Sequence, residues 1–181
     1  MEKAIAALCP RGTVLLVTSR ASLTDCLNPS AEKHAAIYVG EAAPLRAPPG
    51  AGACGPCAID ASAPHGARVT PLADLLRHCA VVKAYCLAVP FAGALMSMAA
   101  DTAFSLVGTP YGFNAGRTYC FKLVADCFAS VGIRVRSRRI MGREVILSQD
   151  LVASGAWVKV LDSSDGACLE KLGLRPQRRA R

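Results

Sequence analysis

Short apolar runs set off by turn residues, then two longer helical patterns, organise the 181-residue chain. Residues 12–18 (Gly-Thr-Val-Leu-Leu-Val-Thr) form a β-branched apolar run of strand length. Residues 34–40 (His-Ala-Ala-Ile-Tyr-Val-Gly) read as a second strand closed by a glycine. Between them, residues 22–33 are polar and contain Asn28-Pro29, which predicts a loop with a turn. Residues 41–56, rich in Ala, Gly and Pro, predict a further loop. Residues 57–60 predict a short strand, residues 68–72 a strand running into a short helix at 72–78, and residues 81–89 a strand stopped by Pro90. Residues 91–107 place Leu95, Met98, Ala99, Thr102 and Leu106 at the spacing of an amphipathic or mostly buried helix. A second helix begins at Cys120 and has Gly132 as its natural C-cap. Residues 140–154 predict a short helix and residues 156–161 a last strand. Helices do not alternate with strands, so the order predicts an α+β fold with a mostly antiparallel sheet.

The second helix is entered from an unusual stretch, residues 109–128 (Thr-Pro-Tyr-Gly-Phe-Asn-Ala-Gly-Arg-Thr-Tyr-Cys-Phe-Lys-Leu-Val-Ala-Asp-Cys-Phe). Pro110, Gly112, Asn114 and Gly116 supply turn chemistry, and Thr118 is placed to act as an N-cap. Cys120 then falls in the first helical turn, where the dipole and unpaired N–H groups favour a thiolate. That is how thiol enzymes present a nucleophile, although most cysteines are small core residues. Cys127, two turns on, reads as packing on the same helix.

Composition narrows the class without changing the fold. The hydrophobic fraction of 52% is inflated by alanine, and the most apolar stretch, residues 91–107, carries Asp101 near its middle. No membrane span is expected. The N-terminal apolar stretch is too short for a signal peptide and no lipidation motif is present, which leads us to expect a soluble intracellular protein. Nine cysteines, an odd number, then favour reduced thiols over a disulfide framework. The net charge of +8 is concentrated in Arg134, Arg136, Arg138, Arg139 and Arg143 and in a C-terminal group, Arg175, Arg178, Arg179 and Arg181. Such clusters suit an anionic surface, nucleic acid or acidic protein, or form only a solvated face and tail. We expect one domain over residues 1–165 and a basic tail over 166–181.

Competing motifs carry less. Cys54-Gly-Pro-Cys57 matches the thioredoxin-type redox signature, but that chemistry needs a helix after the first cysteine, and Ile59-Asp60 and Ala63-Pro64 follow here. It also lacks the partner pair a zinc site needs. Ser30-Ala-Glu-Lys33 matches Ser-x-x-Lys, a short and frequently accidental pattern. Of the three histidines, His65 sits in an expected turn and His78 at the end of a short helix. His34 begins a strand otherwise built of Ala, Ile, Tyr and Val. A thiol nucleophile needs a base, and the base an orienting acceptor, which Asp60 on a neighbouring short strand can supply.

The segments at residues 10–16, 27–40, 69–72, 108–113, 119–127 and 147–149 together resemble the NlpC/P60 superfamily of papain-like cysteine hydrolases, in its circularly permuted branch and closest to its poxvirus members. The resemblance implies a permuted papain-like fold, a mostly antiparallel sheet packed against helices. By position His34 matches the catalytic histidine, Cys120 the nucleophile and Asp60 the orienting residue. Tyr111 resembles the family tyrosine near the oxyanion position. Many members have Ser-Gly after the nucleophile, so Phe121 and Lys122 are expected to reshape the mouth of the site. The expected activity is hydrolysis or acyl transfer at amide or ester bonds of a lipid or protein, with no cofactor or metal, in the host cytoplasm or virion. The Arg134, Arg136, Arg138 and Arg139 cluster is a candidate contact for an anionic surface. The alternative is an inactive, virion-associated binding protein that keeps the fold and works through its basic patches.

Overall fold

The computed structural model describes residues 1–19, 29–41, 55–171 and 173. Cys54, most of the 41–56 loop, the Asn28 turn residue and the C-terminal arginines lie outside the described residues. A six-stranded sheet forms the centre, in the order β4-β3-β2-β1-β5-β8. Its strands are β1 (Val14–Ser19), β2 (His34–Glu41), β3 (Pro56–Ser62), β4 (Gly66–Pro71), β5 (Cys79–Leu87) and β8 (Trp157–Asp162). Every pairing is antiparallel, as expected.

Alternation along the strands gives the sheet two apolar faces. Val14, Leu16, Ala35, Ile37, Val39 and Ile59 face α3 (Ala92–Ser105) and α4 (Cys120–Ala129). Leu15, Val17, Ala36, Tyr38, Ala58 and Leu161 lie on the other side with α1 (Glu2–Leu8) and α2 (Leu72–Leu76), which contribute Ile5 and Leu72. The result is a three-layer α+β arrangement. The larger core side chains, such as Phe128, Leu123 and Ile37, are fully buried, each contributing about 1.5–3 kcal/mol from removal of apolar surface.

The stripe that α3 buries differs from the expected one. Met96, Ala99, Ala100 and Ala103 face inward, whereas Met98 is 55% exposed. Alanines let α3 approach α4 and the sheet closely, where a long side chain would not fit. Asp101, on the outer face, pairs with Arg11 at 2.9 Å. Among the described residues no helix is long and apolar enough to cross a membrane. Gly132 closes α4 as expected: its N–H and that of Ile133 bond back to the carbonyls of Ala129 and Phe128 at 3.1 and 2.9 Å.

Three elements go beyond the sequence reading. One is α1. Another is a separate hairpin, β6 (Arg138–Ile140) and β7 (Arg143–Val145), just ahead of the expected short helix α5 (Ser148–Leu151). The third is α6 (Gly166–Lys171), which starts where the basic tail was expected and buries Leu169.

Candidate active site

The register of the sheet assembles the first half of the site. Ala36 pairs with Asp60 across β2–β3, and Asp60 pairs with Arg68 across β3–β4. His34 and Thr70 each lie two residues along their strands from those positions, within diagonal reach of Asp60. The His34 Nε2 is 2.8 Å from Asp60 Oδ2. Thr70 Oγ1 donates to Asp60 Oδ1 at 2.5 Å. Arg68 Nε stands 3.6 Å from the same oxygen, an ion pair beyond hydrogen-bond reach. Asp60 is nearly buried, and the His34 side chain keeps 24% of its surface exposed.

Cys120 supplies the other half. It is the first residue of α4, 6% exposed, and it lies near enough to the His34 imidazole to favour the ring's protonated form. Nε2 is committed to Asp60, which leaves Nδ1 as the free ring nitrogen.

Electrostatics follows from that position. Burial alone would disfavour the imidazolium, but the Asp60 hydrogen bond and charge, together with the neighbouring Cys120, outweigh it and push His34 up to about 10. Burial likewise opposes the Asp60 carboxylate, yet His34, Thr70 and Arg68 together hold it below its ordinary value. Cys127 makes the contrast: burial, with the Asp126 charge, pushes its thiol up to about 12, the behaviour of a packing cysteine.

The loop before α4 is pinned on both sides. Ala67 N–H donates to Thr109 O at 2.8 Å, and Gly108 N–H to Ala67 O at 2.8 Å. Gly66 has φ +68°, and a Cβ there would sit 2.4 Å from Thr109 O, so only glycine permits this approach. Thr118 donates its N–H to Pro110 O and accepts from Gly112 N–H. The N-cap is therefore Tyr119, in extended conformation and without a side-chain cap bond, and not Thr118 as expected. The Thr118 backbone is committed to closing the loop. Tyr111, held in the same loop, is half-buried, and burial together with the Cys120 charge raises its hydroxyl.

A second network, invisible to local sequence patterns, ties the segment after the hairpin to both halves. Ile146 N–H donates to the Tyr119 hydroxyl at 2.6 Å, beside the nucleophile. On the histidine side, Ser148 Oγ accepts from Glu32 N–H at 3.0 Å, and Ser148 N–H donates to Ser30 Oγ at 3.3 Å. Lys83 bonds Glu32 at 2.7 Å. Burial opposes the Glu32 carboxylate, but Lys83 and Ser148 hold it below its ordinary value. Ser30 is thus a brace for the strand that carries His34, and Lys33 Nζ bonds the Ser30 carbonyl, not its hydroxyl. Thr70, Arg68, Tyr119 and Ser148 were not singled out from sequence. Their only signal was membership of the matching segments at 69–72, 119–127 and 147–149, and Arg68 had none.

Phe121 is buried in the core and Lys122 is bonded to Asp126 one turn on, so the mouth is not lined by Phe121. Successive helix positions rotate by about 100°, which carries Phe121 away from the Cys120 direction. Cys57 is buried within β3 and bonds Gly55 O, not placed at a helix start. His65 and His78 are exposed and lie in turns. Among the described residues no group of three or more His, Cys, Asp or Glu is disposed to hold a metal ion. Arg134, Arg136, Arg139 and Arg143 are exposed, and Arg138 pairs with Asp150 at 2.7 Å.

Comparison with known proteins agrees with the fold. Residues 8–161 match the model of a family described as permuted papain-like amidase enzyme, YaeF/YiiX, C92 family. The chain is 36% identical over 156 residues to Protein OPG091 of vaccinia virus (strain Copenhagen), covering 86% of this chain and 87% of that one. Its counterpart in monkeypox virus is 35% identical over the same coverage. The crystal structure of the metalloprotein YiiX from Escherichia coli O157:H7 superposes with a TM-score of 0.65 at 16% identity, covering 84% of this chain and 96% of that one.

Proposed function

Because the chain belongs to the permuted papain-like amidase family, C92, we propose that it is a cysteine-dependent hydrolase or acyltransferase acting on amide or ester bonds of a lipid or protein. The observation that supports this reading is the His34 ring bonded to Asp60 at 2.8 Å, with Cys120 at the start of α4 near enough to favour its protonation.

In this mechanism the Cys120 thiolate, paired with protonated His34, attacks the acyl carbon and forms a C–S bond. The first N–H groups of α4, that of Cys120 among them, have no intrahelical carbonyl and face the developing oxyanion. The Tyr111 hydroxyl adds a donor. One such donor is worth about 3 kcal/mol in the transition state. As the tetrahedral species collapses, the C–N or C–O bond breaks and His34 gives its proton to the departing amine or alcohol. Water or a second acceptor then attacks the thioester, His34 takes up its proton, and the acyl group leaves as acid or as transferred product. Asp60 keeps the imidazole in the orientation and protonation state that both steps need, and Thr70 keeps Asp60 there.

The test is to trap the acyl-enzyme. The protein is incubated with a panel of acyl amides and esters, lipid and peptide, and Cys120 is examined by mass spectrometry after rapid acid quench. The expected result is an acyl mass on Cys120 with at least one class, absent in Cys120→Ala. Product analysis with and without an added amine or alcohol separates hydrolysis from transfer. A panel that leaves Cys120 unmodified, with nucleic acid or protein binding that ignores Cys120→Ala, instead supports the non-enzymatic virion-associated alternative.

A further inference from the structure

The β6–β7 hairpin has no part in the chemistry above. It stands as its own two-stranded sheet, and its turn residues Met141 and Gly142 have φ of 49° and 79°. Positive φ at both central positions is the type I′ geometry, normally filled by Asn, Asp or Gly. Here the first position holds methionine, and it is 97% exposed. An apolar side chain thus occupies a strained site at the tip and points wholly into solvent.

Its surroundings are cationic. Arg134, Arg136, Arg139 and Arg143 are exposed and form no ion pair among the described residues. Glu144 is the single acid in residues 134–145, and it accepts a hydrogen bond from Ser137. The base is anchored, since Arg138 bonds Asp150 at 2.7 Å and Asp150 in turn accepts from Leu147 N–H at 3.1 Å.

We propose that this hairpin docks onto an anionic phospholipid surface, with Met141 inserted among the headgroups and Arg134, Arg136, Arg139 and Arg143 on the phosphates. An apolar tip ringed by cations is the combination that gains from both parts of such an interface. Nucleic acid would use the arginines but gain little from Met141, and residues 134–145 contain no aromatic ring to stack on a base. The docked element leads directly into Ile146, whose N–H donates at 2.6 Å to the hydroxyl of Tyr119, the residue before Cys120. The docking stands on the hairpin alone and does not depend on catalysis at Cys120.

The experiment is flotation of the full chain with vesicles of phosphatidylcholine, or of roughly three parts phosphatidylcholine to one part phosphatidylserine. The expected result is salt-sensitive binding to the anionic vesicles only. Met141→Asn suits the turn better than methionine and so keeps the fold, yet it lowers binding about tenfold through lost insertion. Arg139→Gln with Arg143→Gln lowers it by roughly 25-fold, at about fivefold for each arginine. No preference for anionic vesicles overturns the proposal. So does binding that both variants leave intact. Binding that depends on the arginines but ignores Met141→Asn also overturns it, and assigns the patch to a soluble polyanion.

Discussion

Replacing Asp60 by Asn removes one charge from the site and little else, since the two side chains have the same shape. Asp60 Oδ2 lies 2.8 Å from His34 Nε2 and Oδ1 lies 2.5 Å from the Thr70 hydroxyl. A hydrogen bond to a charged group is worth about 1.5–3 kcal/mol, and partial exposure of His34 favours the lower half of that range. We therefore expect Asp60→Asn to lower stability by about 2 kcal/mol at pH 6–7 in urea unfolding. The loss should depend on pH in a fixed direction. The folded His34 is raised to about 10 from an ordinary value of 6.5, so its contribution is complete below 6.5 and disappears as pH rises through 10. The folded Asp60 is held below its ordinary 3.8, so its contribution is complete above 3.8 and disappears as pH falls through its lowered folded value. The gap between wild type and variant should be widest between these limits and close toward both ends. NMR titration of the His34 ring should show its midpoint falling well below that of wild type. A stability gap independent of pH, or a His34 midpoint that stays near 10, would refute the assignment of Asp60 as the partner that keeps the imidazolium.

Three further outcomes follow from the same contacts. Tyr119→Phe strips the acceptor from Ile146 N–H and should cost about 1–2 kcal/mol by chemical denaturation, with faster amide exchange at Ile146. Gly66→Ala meets both a φ of +68° and a Cβ 2.4 Å from Thr109 O; the Tyr111 loop must shift, and acylation of Cys120 should drop by tenfold or more even in variant that remains folded. Ser148→Ala removes the side-chain acceptor of Glu32 N–H and should destabilise by about 1 kcal/mol, measured by thermal unfolding.

What could be read from the sequence follows a physical divide. β1 and β2 announced themselves because central strands buried on both faces are near-continuous apolar runs. α4 was legible from its glycine-rich approach and from Gly132. The β6–β7 hairpin was not, because its strands are three residues each and rich in exposed arginine, with methionine where a turn signal would normally stand. Thr118 was a reasonable N-cap by residue type, but its backbone is used by Pro110 and Gly112, a commitment that only the folded loop reveals. The His34, Asp60 and Cys120 positions come from family resemblance together with residue chemistry, and the structure bonds His34 to Asp60 and sets Cys120 at the start of α4. Their supports are another matter. Ser148 meets Glu32 from 116 residues away, and no local periodicity encodes such a contact.

The central claim is that His34 and Cys120 act as one reactive unit. The most direct measurement is the rate at which iodoacetamide alkylates Cys120, followed by peptide mass spectrometry across pH, in wild type and His34→Ala. The account predicts that wild type reacts at least roughly tenfold faster near neutral pH, and that this advantage fades above about 8.5, where an unassisted thiol ionises without help. Equal rates and superimposable pH profiles in the two proteins would contradict it.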